Sequence, residues 1–340
     1  MDNQLNWHNL PFAYQKTNGN VRSVYKNGKW GPVEFNESEF INMHMAATCL
    51  HYGQECFEGL KAYRGEDGRI RVFRWEENAK RLAASAEYIL MPAVPKEIFE
   101  EALFTVIRKN KEFIPPYGTG ASLYIRPLII GIEPRVGLNP ASEYLFIIFV
   151  TPVGPYFKTG FNPSNVIVER GSDRAAPLGT GHVKVGGNYA ASVKVTVRAH
   201  EQGYSSALYL DPKEKKYIDE CGPANFFAIR GKSYITPSSH SILPSITNMS
   251  IQAIAADIGM NVEKRSVAFD ELETFDEVGQ CGTAAVISPI GKIIDPDKNR
   301  TYVFCKDGKP GPISTKLYET IVGIQYGTVE DKFGWISYID

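Results

Sequence analysis

Strand-forming and helix-forming stretches follow one another in this chain without strict alternation, and that order limits the folds open to it. Val21 to Phe35 holds Asn27-Gly28 between β-type residues, and Leu60 to Arg64 is separated from Arg69 to Phe73 by Gly65-Glu66-Asp67-Gly68. Both read as hairpins. Helical composition runs from Trp75 to Leu90 and is stopped by Pro92 and Pro95. Lys96 to Glu112 then carries Ile98, Phe99, Ala102, Leu103, Val106 and Ile107 as one apolar stripe at helical spacing, which is core. Ala121 to Ile132 and Tyr144 to Val150 are strand-like, with a loop from Glu133 to Ser142 between them. In the second half, strand-like Val166 to Glu169, Ala207 to Leu210, Phe226 to Ile229 and Val286 to Ile294 mix with helices over Asn188 to Gln202, Thr247 to Ile258 and Ile313 to Tyr326. A doubly wound sheet requires regular alternation, so the expected class is α+β.

A length of 340 residues allows two domains. Thr151 to Ser164 contains three prolines and two glycines without periodicity. The expected division is therefore a smaller domain over 1–152, a linker over 153–164 and a larger domain over 165–340. A formal net charge of -1, with no long run of one sign, argues against a nucleic-acid or membrane-surface partner. No apolar run reaches the roughly 18 residues of a spanning helix. The first residues, Met1 to Trp7, show neither a secretory nor an import pattern, so a cytoplasmic location is expected. Five cysteines without close metal-ligand spacing fit reduced thiols, and no metal is expected.

Four short stretches carry possible chemistry. In Gly179-Thr180-Gly181-His182-Val183-Lys184-Val185-Gly186-Gly187-Asn188-Tyr189, one lysine lies between two glycine groups ahead of a helix. Burial there would favour the neutral amine, the form that condenses with an aldehyde. A solvated loop lysine is the plainer alternative. Glu220, between a strand-like segment and Gly222-Pro223, suits a carboxylate that holds a pyridine nitrogen protonated, or simply a solvated turn residue. Leu243-Pro244-Ser245-Ile246-Thr247 opens a helix, where free N–H groups favour a phosphate, though a plain N-cap looks the same. Gln280-Cys281-Gly282-Thr283-Ala284-Ala285 offers one more small hydroxyl donor, or a turn.

Taken together with Leu50 to Gly59, Asn78-Ala79-Lys80-Arg81-Leu82 and Tyr124-Ile125-Arg126-Pro127, these stretches resemble the branched-chain-amino-acid aminotransferases. That family uses pyridoxal 5′-phosphate (PLP) on the fold-type IV architecture: a smaller N-terminal α/β domain and a larger C-terminal domain with a mixed, barrel-like sheet. The resemblance runs from about Val21 to the C-terminus. It implies that Lys184 binds the cofactor covalently and shuttles a proton, Glu220 pairs with the ring nitrogen, and Tyr189 hydrogen-bonds the phenolic oxygen. It also implies that Arg81, the N–H groups of Ile246 and Thr247, and Thr283 hold the phosphate. Tyr52, Phe57, Tyr124 and Tyr156 would form an aromatic pocket for a branched side chain, with Ala284 and Ala285 also on the substrate side. Arg126, two residues from Tyr124 on a strand, would share that wall.

The implied reaction exchanges the amino group of L-leucine, L-isoleucine or L-valine with 2-oxoglutarate by a ping-pong cycle. The implied assembly is a homodimer in which the Tyr52 strand and the Gly137-Leu138 loop are donated to the partner's site. Animal members carry a Cys-x-x-Cys where this chain has Ala285 and Ser288, so no thiol switch is expected there. Cys281 nearby, with no resolving partner, reads as a buried small residue. The nearest alternatives are a D-amino-acid aminotransferase or an aminodeoxychorismate lyase of the same fold type, and a catalytically silent PLP-binding relative.

Overall fold

The computed structural model describes residues 5–156 and 160–339. Its contacts divide the chain into two compact units: 1–156 with 183–186 and 323–340, and 157–182 with 187–322.

The first unit begins with β1 (Asn20–Lys26), β2 (Lys29–Trp30) and β3 (Glu34–Asn36). Asn27 and Gly28 both have positive φ, 54° and 79°, and so make the tight turn that the Asn-Gly pair forecasts. Next come α1 (Thr48–Tyr52), β4 (Glu55–Phe57), β5 (Leu60–Arg64), β6 (Ile70–Phe73), α2 (Trp75–Tyr88), α3 (Lys96–Lys109), β7 (Ser122–Gly131) and β8 (Tyr144–Val153). The apolar stripe of α3 buries Phe99, Ala102, Leu103, Val106 and Ile107 in a core shared with Phe146 and Ile148 of β8. Each of the larger side chains is worth about 1.5–3 kcal/mol when fully buried. Thr151, Pro152 and Val153 pair with Tyr124, Leu123 and Ser122, so the strand extends into the stretch expected to link two domains. Tyr52, expected on a strand, instead ends α1, because Gly53 takes a left-handed φ of 59° and stops the helix.

The second unit holds β9 (Ser164–Glu169), α4 (Gly186–Glu201), β10 (Ser206–Leu210), β11 (Ile218–Cys221), β12 (Ala224–Arg230), β13 (Ser233–Pro237), α5 (Ile246–Asp257), β14 (Asn261–Arg265), β15 (Glu277–Gly282), β16 (Val286–Asp295) and β17 (Arg300–Val303). The helix α6 (Pro312–Tyr326) and the strand β18 (Ile336–Ile339) follow. Pairing runs β11-β10-β9-β16-β15-β12, and β12 pairs back to β11, so six strands close on themselves. This is the mixed, barrel-like sheet expected of the fold: β9 is parallel to β10 and to β16, while the other pairs in the ring are antiparallel. Val166, Leu208, Phe226, Val278 and Ile290 share its core.

The other sheet is antiparallel throughout, in the order β18-β6-β5-β7-β8-β1-β2. Its outermost strand comes from the end of the chain, because Ile336 to Ile339 pair with Phe73 to Ile70. Residues 323–340 therefore pack with the first unit, although the expected division places them with the second. Of the expected linker, 157–159 lie outside the described residues. No helix among the described residues is long and apolar enough to cross a membrane, and no cluster of possible metal ligands occurs among them.

Candidate active site

Lys184 lies in the short stretch Val183–Gly186 that packs with the first unit. Its backbone is held on both sides. Its N–H donates to Ser85 Oγ at 3.1 Å, and its carbonyl accepts from Phe57 N–H at 3.0 Å. Gly186 N–H donates to the Glu55 carboxylate, and a Cβ at Gly186 would strike that carboxylate. A side chain at 186 would displace the Glu55 carboxylate that holds this N–H.

The side chain of Lys184 is half-buried, with Nζ 4.8 Å from the Phe57 ring centroid. Its pKa is lowered from 10.5 to about 8, first by loss of water around the ammonium and then by the Arg81 charge. Glu58 and Tyr124 oppose that fall, and Arg126 adds to it. Arg81, on the second turn of α2, forks onto Glu58: Nε meets Oε1 at 2.6 Å and Nη2 meets Oε2 at 2.9 Å. Glu58 is fully buried and also accepts from Asn78 Nδ2 at 2.7 Å and Gly59 N–H at 3.1 Å. Desolvation pushes its pKa up, but Arg81, Lys184 and Asn78 outweigh this and hold it below the usual carboxylate range.

Three of the four aromatic residues expected around a substrate, Phe57, Tyr124 and Tyr156, are linked within the same unit. Arg126 Nη2 donates to Tyr124 Oη at 3.1 Å, and its guanidinium lies 4.8 Å from the Phe57 ring centroid. Arg126 Nε is buried without a hydrogen-bond partner. Phe12 bridges Tyr124 and Tyr156, with centroids 5.3 and 5.2 Å away. Tyr52 stands apart from this group, 40% exposed, its hydroxyl donating to the Val136 carbonyl.

In the second unit Glu220 sits within β11, 3% exposed. Its Oε1 accepts from Leu243 N–H at 2.8 Å and meets Arg174 Nη2 at 2.9 Å, and its Oε2 accepts from Asn225 Nδ2 at 3.1 Å. Desolvation is the largest influence and raises its pKa to about 7, against the pull of Arg174. Glu220 and Tyr189 line one small cavity with Arg174, Asn188, Pro223 and Leu243. Asn188 donates to the Thr180 carbonyl at 2.7 Å and accepts from its hydroxyl at 2.8 Å, pinning the glycine loop.

Ser245 caps α5 by accepting from Asn248 N–H at 3.2 Å. Ile246 and Thr247 then occupy the first turn, where the helix supplies no acceptor for their N–H groups. Thr283, Ala284 and Ala285 form the half-buried turn between β15 and β16, which closes with Val286 at a φ of 62°.

Sequence reasoning therefore missed Glu58, Asn78, Glu55 and Ser85 in one unit, and Arg174 and Asn225 in the other. The available signal was slight: Glu58 falls between Phe57 and Gly59, and Asn225 follows Glu220 across a glycine turn.

The amino-transferase class IV family matches residues 55–293 of this chain. A branched-chain-amino-acid aminotransferase of Haemophilus influenzae is 46% identical over 343 residues, covering 99% of each chain. Another, of Helicobacter pylori, is 47% identical over 335 residues, covering 98% of this chain and 97% of its own. Among solved structures, the branched-chain amino acid aminotransferase of Escherichia coli superposes with a TM-score of 0.79 at 30% identity, over 94% of this chain and 100% of that one. A further branched-chain amino acid aminotransferase, solved with pyridoxamine 5′-phosphate, gives 0.78 at 28% identity over 96% and 100%. The chain belongs to the class IV aminotransferases, and among them to the branched-chain-amino-acid aminotransferases.

Proposed function

We propose that this protein reversibly exchanges the amino group of L-leucine, L-isoleucine or L-valine with 2-oxoglutarate, using pyridoxal 5′-phosphate in a ping-pong cycle. The observation that carries the reading is Lys184: a half-buried lysine whose pKa sits at about 8 instead of 10.5. At neutral pH its reactive, uncharged fraction is roughly 300-fold larger than for an ordinary lysine, 2.5 pH units being about that factor. The family and a relative solved with pyridoxamine 5′-phosphate support the choice of cofactor.

The donor set fits that group. Lys184 supplies an amine for its aldehyde, and Arg81 with the first turn of α5 and Thr283 supplies cationic and N–H donors for its phosphate. Glu220 supplies an anion for the ring nitrogen, and Tyr189, on the same small cavity as Glu220, supplies a hydroxyl for the phenolic oxygen. When bound, the cofactor supplies the electron sink that makes the substrate Cα proton acidic. Lys184 takes that proton as a general base, and its lowered pKa suits the task near neutral pH. Phe57, Tyr124 and Tyr156 exclude water and favour an aliphatic side chain. Arg126, with an unsatisfied buried Nε and a bond to Tyr124 Oη, orients the wall beside it. Ala284 and Ala285 are proposed to close the substrate side.

We propose a homodimer, and a cytoplasmic location. Met45, Val136 and Leu138 are 87%, 85% and 79% exposed on the segments that bond to or adjoin the Tyr52 helix, apolar side chains suited to a second copy. The unit of 1–156 with 183–186 and 323–340, and the unit of 157–182 with 187–322, are proposed as the two catalytic domains.

Absorption spectroscopy tests the central claim. The purified protein should take up PLP and show a yellow band that Lys184→Ala abolishes; a wild-type protein that remains colourless with added PLP ends the reading. Initial rates with L-leucine, L-isoleucine, L-valine and D-alanine then test the substrate, and a preference for D-alanine overturns it. Sedimentation at micromolar concentration should give twice the chain mass.

A further inference from the structure

We infer that Arg174 is a positioning residue of this site: it ties the loop ahead of Lys184 to Glu220 and keeps that carboxylate anionic for the cofactor's ring nitrogen. The inference rests on the cofactor reading above and adds a residue to it.

Arg174 lies in the loop after β9, outside every segment the sequence singled out. Its side chain is 8% exposed, and one nitrogen does all the bonding. Nη2 meets Glu220 Oε1 at 2.9 Å and the Gly181 carbonyl at 2.9 Å, and it also donates to the Ser241 carbonyl. Nε is buried with no partner. A guanidinium that leaves a buried N–H unmatched is a poor hydrogen-bonding device, since such a group costs desolvation without return. What it brings to this place is a permanent charge.

The surroundings of Glu220 show why a charge is needed. Leu243 N–H and Asn225 Nδ2 are neutral donors. Asp219, next in the chain, is 3% exposed and held by the hydroxyls of Ser239 at 3.0 Å and Ser241 at 2.6 Å. It repels a second negative charge on Glu220. Cys221 and Cys281 are buried thiols whose pKa values are pushed up, so they stay neutral. Tyr189 lines the same cavity. Arg174 faces both carboxylates and favours ionisation of each. With both ionised, two anions and one cation leave a net negative site, which is what a protonated pyridine requires.

The same nitrogen also holds the Gly181 carbonyl, at a residue where a Cβ would collide with the Ser241 backbone. The glycine loop thus closes over Ser241 with Arg174 beneath it. This couples the position of the loop before Lys184 to the charge on Glu220.

The test is a carboxyl-carbon NMR titration of the cofactor-free protein labelled at glutamate, with the Glu220 signal assigned by its loss in Glu220→Gln. The wild-type midpoint is expected near 7. Arg174→Met should raise it by at least one pH unit, about a tenfold change in proton affinity. Arg174→Lys, which keeps the charge, should stay within about half a unit of wild type. A midpoint unmoved in Arg174→Met, or raised as far in Arg174→Lys, overturns the inference. If the methionine variant does not fold, the lysine variant alone decides it. A second readout is affinity: Arg174→Met should lose about tenfold for PLP and little for the 1-deaza analogue, which has no ring nitrogen. Equal losses for both would mean a merely structural role. A wild-type protein that binds no PLP would end the cofactor reading and leave the titration result standing.

Discussion

Each unit of this protein buries an arginine–glutamate pair, and the two pairs behave oppositely. In the first, Arg81 grips Glu58 through two nitrogens at 2.6 and 2.9 Å, and Asn78 and Gly59 complete the shell. Glu58 is entirely buried, and its pKa is still held down. In the second, Arg174 touches Glu220 through one nitrogen that also serves two carbonyls, and the neighbouring Asp219 repels it. Glu220 is almost as buried, and its pKa rises to about 7. Burial alone does not set the charge of a carboxylate; the number and undivided attention of its cationic donors do. A firmly ionised Glu58 holds Arg81 in one position, as the proposed role at the cofactor's phosphate would need. A carboxylate near its midpoint is the one whose charge a single neighbouring cation can decide.

The largest expected effect breaks the first pair. Glu58→Ala strands a buried guanidinium and should cost about 3–5 kcal/mol in the unfolding free energy of the cofactor-free protein. Arg174→Met should cost less, about 1–3 kcal/mol, because Glu220 can take up a proton and become neutral. Urea denaturation at pH 7 measures both, and equal costs would abolish the contrast. Lys184 provides the next effect, with the opposite sign. A lysine lowered from 10.5 to about 8 binds its proton less tightly when folded, so its charge strains the fold at neutral pH. Lys184→Met should therefore stabilise the cofactor-free protein at pH 7 by on the order of 2 kcal/mol, a gain that fades as pH rises from 8 toward 10.5. A destabilised variant would mean that the ammonium is well satisfied and its pKa ordinary.

The pairs should also separate by pH. A depressed carboxylate such as Glu58 stabilises the fold above its ordinary pKa of 4.5, and this is lost as acid carries pH down through the folded value. A raised one such as Glu220 acts in reverse: its contribution is complete below 4.5 and disappears as pH rises through about 7. Glu58→Gln should thus reduce the loss of melting temperature below pH 4.5, whereas Glu220→Gln should flatten the decline between 4.5 and 7. Parallel profiles for the two variants would contradict the assignment.

The same contrast explains what could be read from the chain. Elements with local causes were legible: the Asn27-Gly28 turn, the α3 stripe, and the helices expected over Asn188 to Gln202 and Thr247 to Ile258, just beyond which Gly203 and Gly259 take positive φ. Segments with long-range causes were not. The strand Ile336–Ile339 is defined only by its pairing with β6, far away in sequence, and Tyr52 ends a helix because Gly53 turns left-handed, a turn that also fits the end of a strand. Residues whose roles the family resemblance implies, such as Lys184 and Glu220, could be singled out because their motifs are continuous. Their counter-ions were not. Glu58 and Asn78 lie inside two of those motifs, yet only the fold shows that they meet. Arg174 lies outside all of them, in a loop, and its charge acts on a residue 46 positions on, in strand β11.

The smallest expected effect removes one neutral donor from each carboxylate. Asn78 Nδ2 reaches Glu58 at 2.7 Å, and Asn225 Nδ2 reaches Glu220 at 3.1 Å. Each amide bond to a charged acceptor is worth about 1–2 kcal/mol, so Asn78→Ala and Asn225→Ala should destabilise by similar amounts when the carboxylate is ionised. The difference lies in what the carboxylate can do afterwards. Glu58 keeps its fork with Arg81 and remains ionised at pH 7, so the cost of Asn78→Ala should be flat around neutrality. Glu220 already sits near its midpoint and answers the loss by taking up a proton, which limits the damage. The cost of Asn225→Ala should therefore shrink as pH falls through 7 and grow as pH rises above it. Unfolding free energies of the two variants, measured against wild type on both sides of pH 7, test this. Two flat profiles would show that Glu220 is held as firmly as Glu58, and that the single nitrogen of Arg174 does for one carboxylate what two nitrogens of Arg81 do for the other.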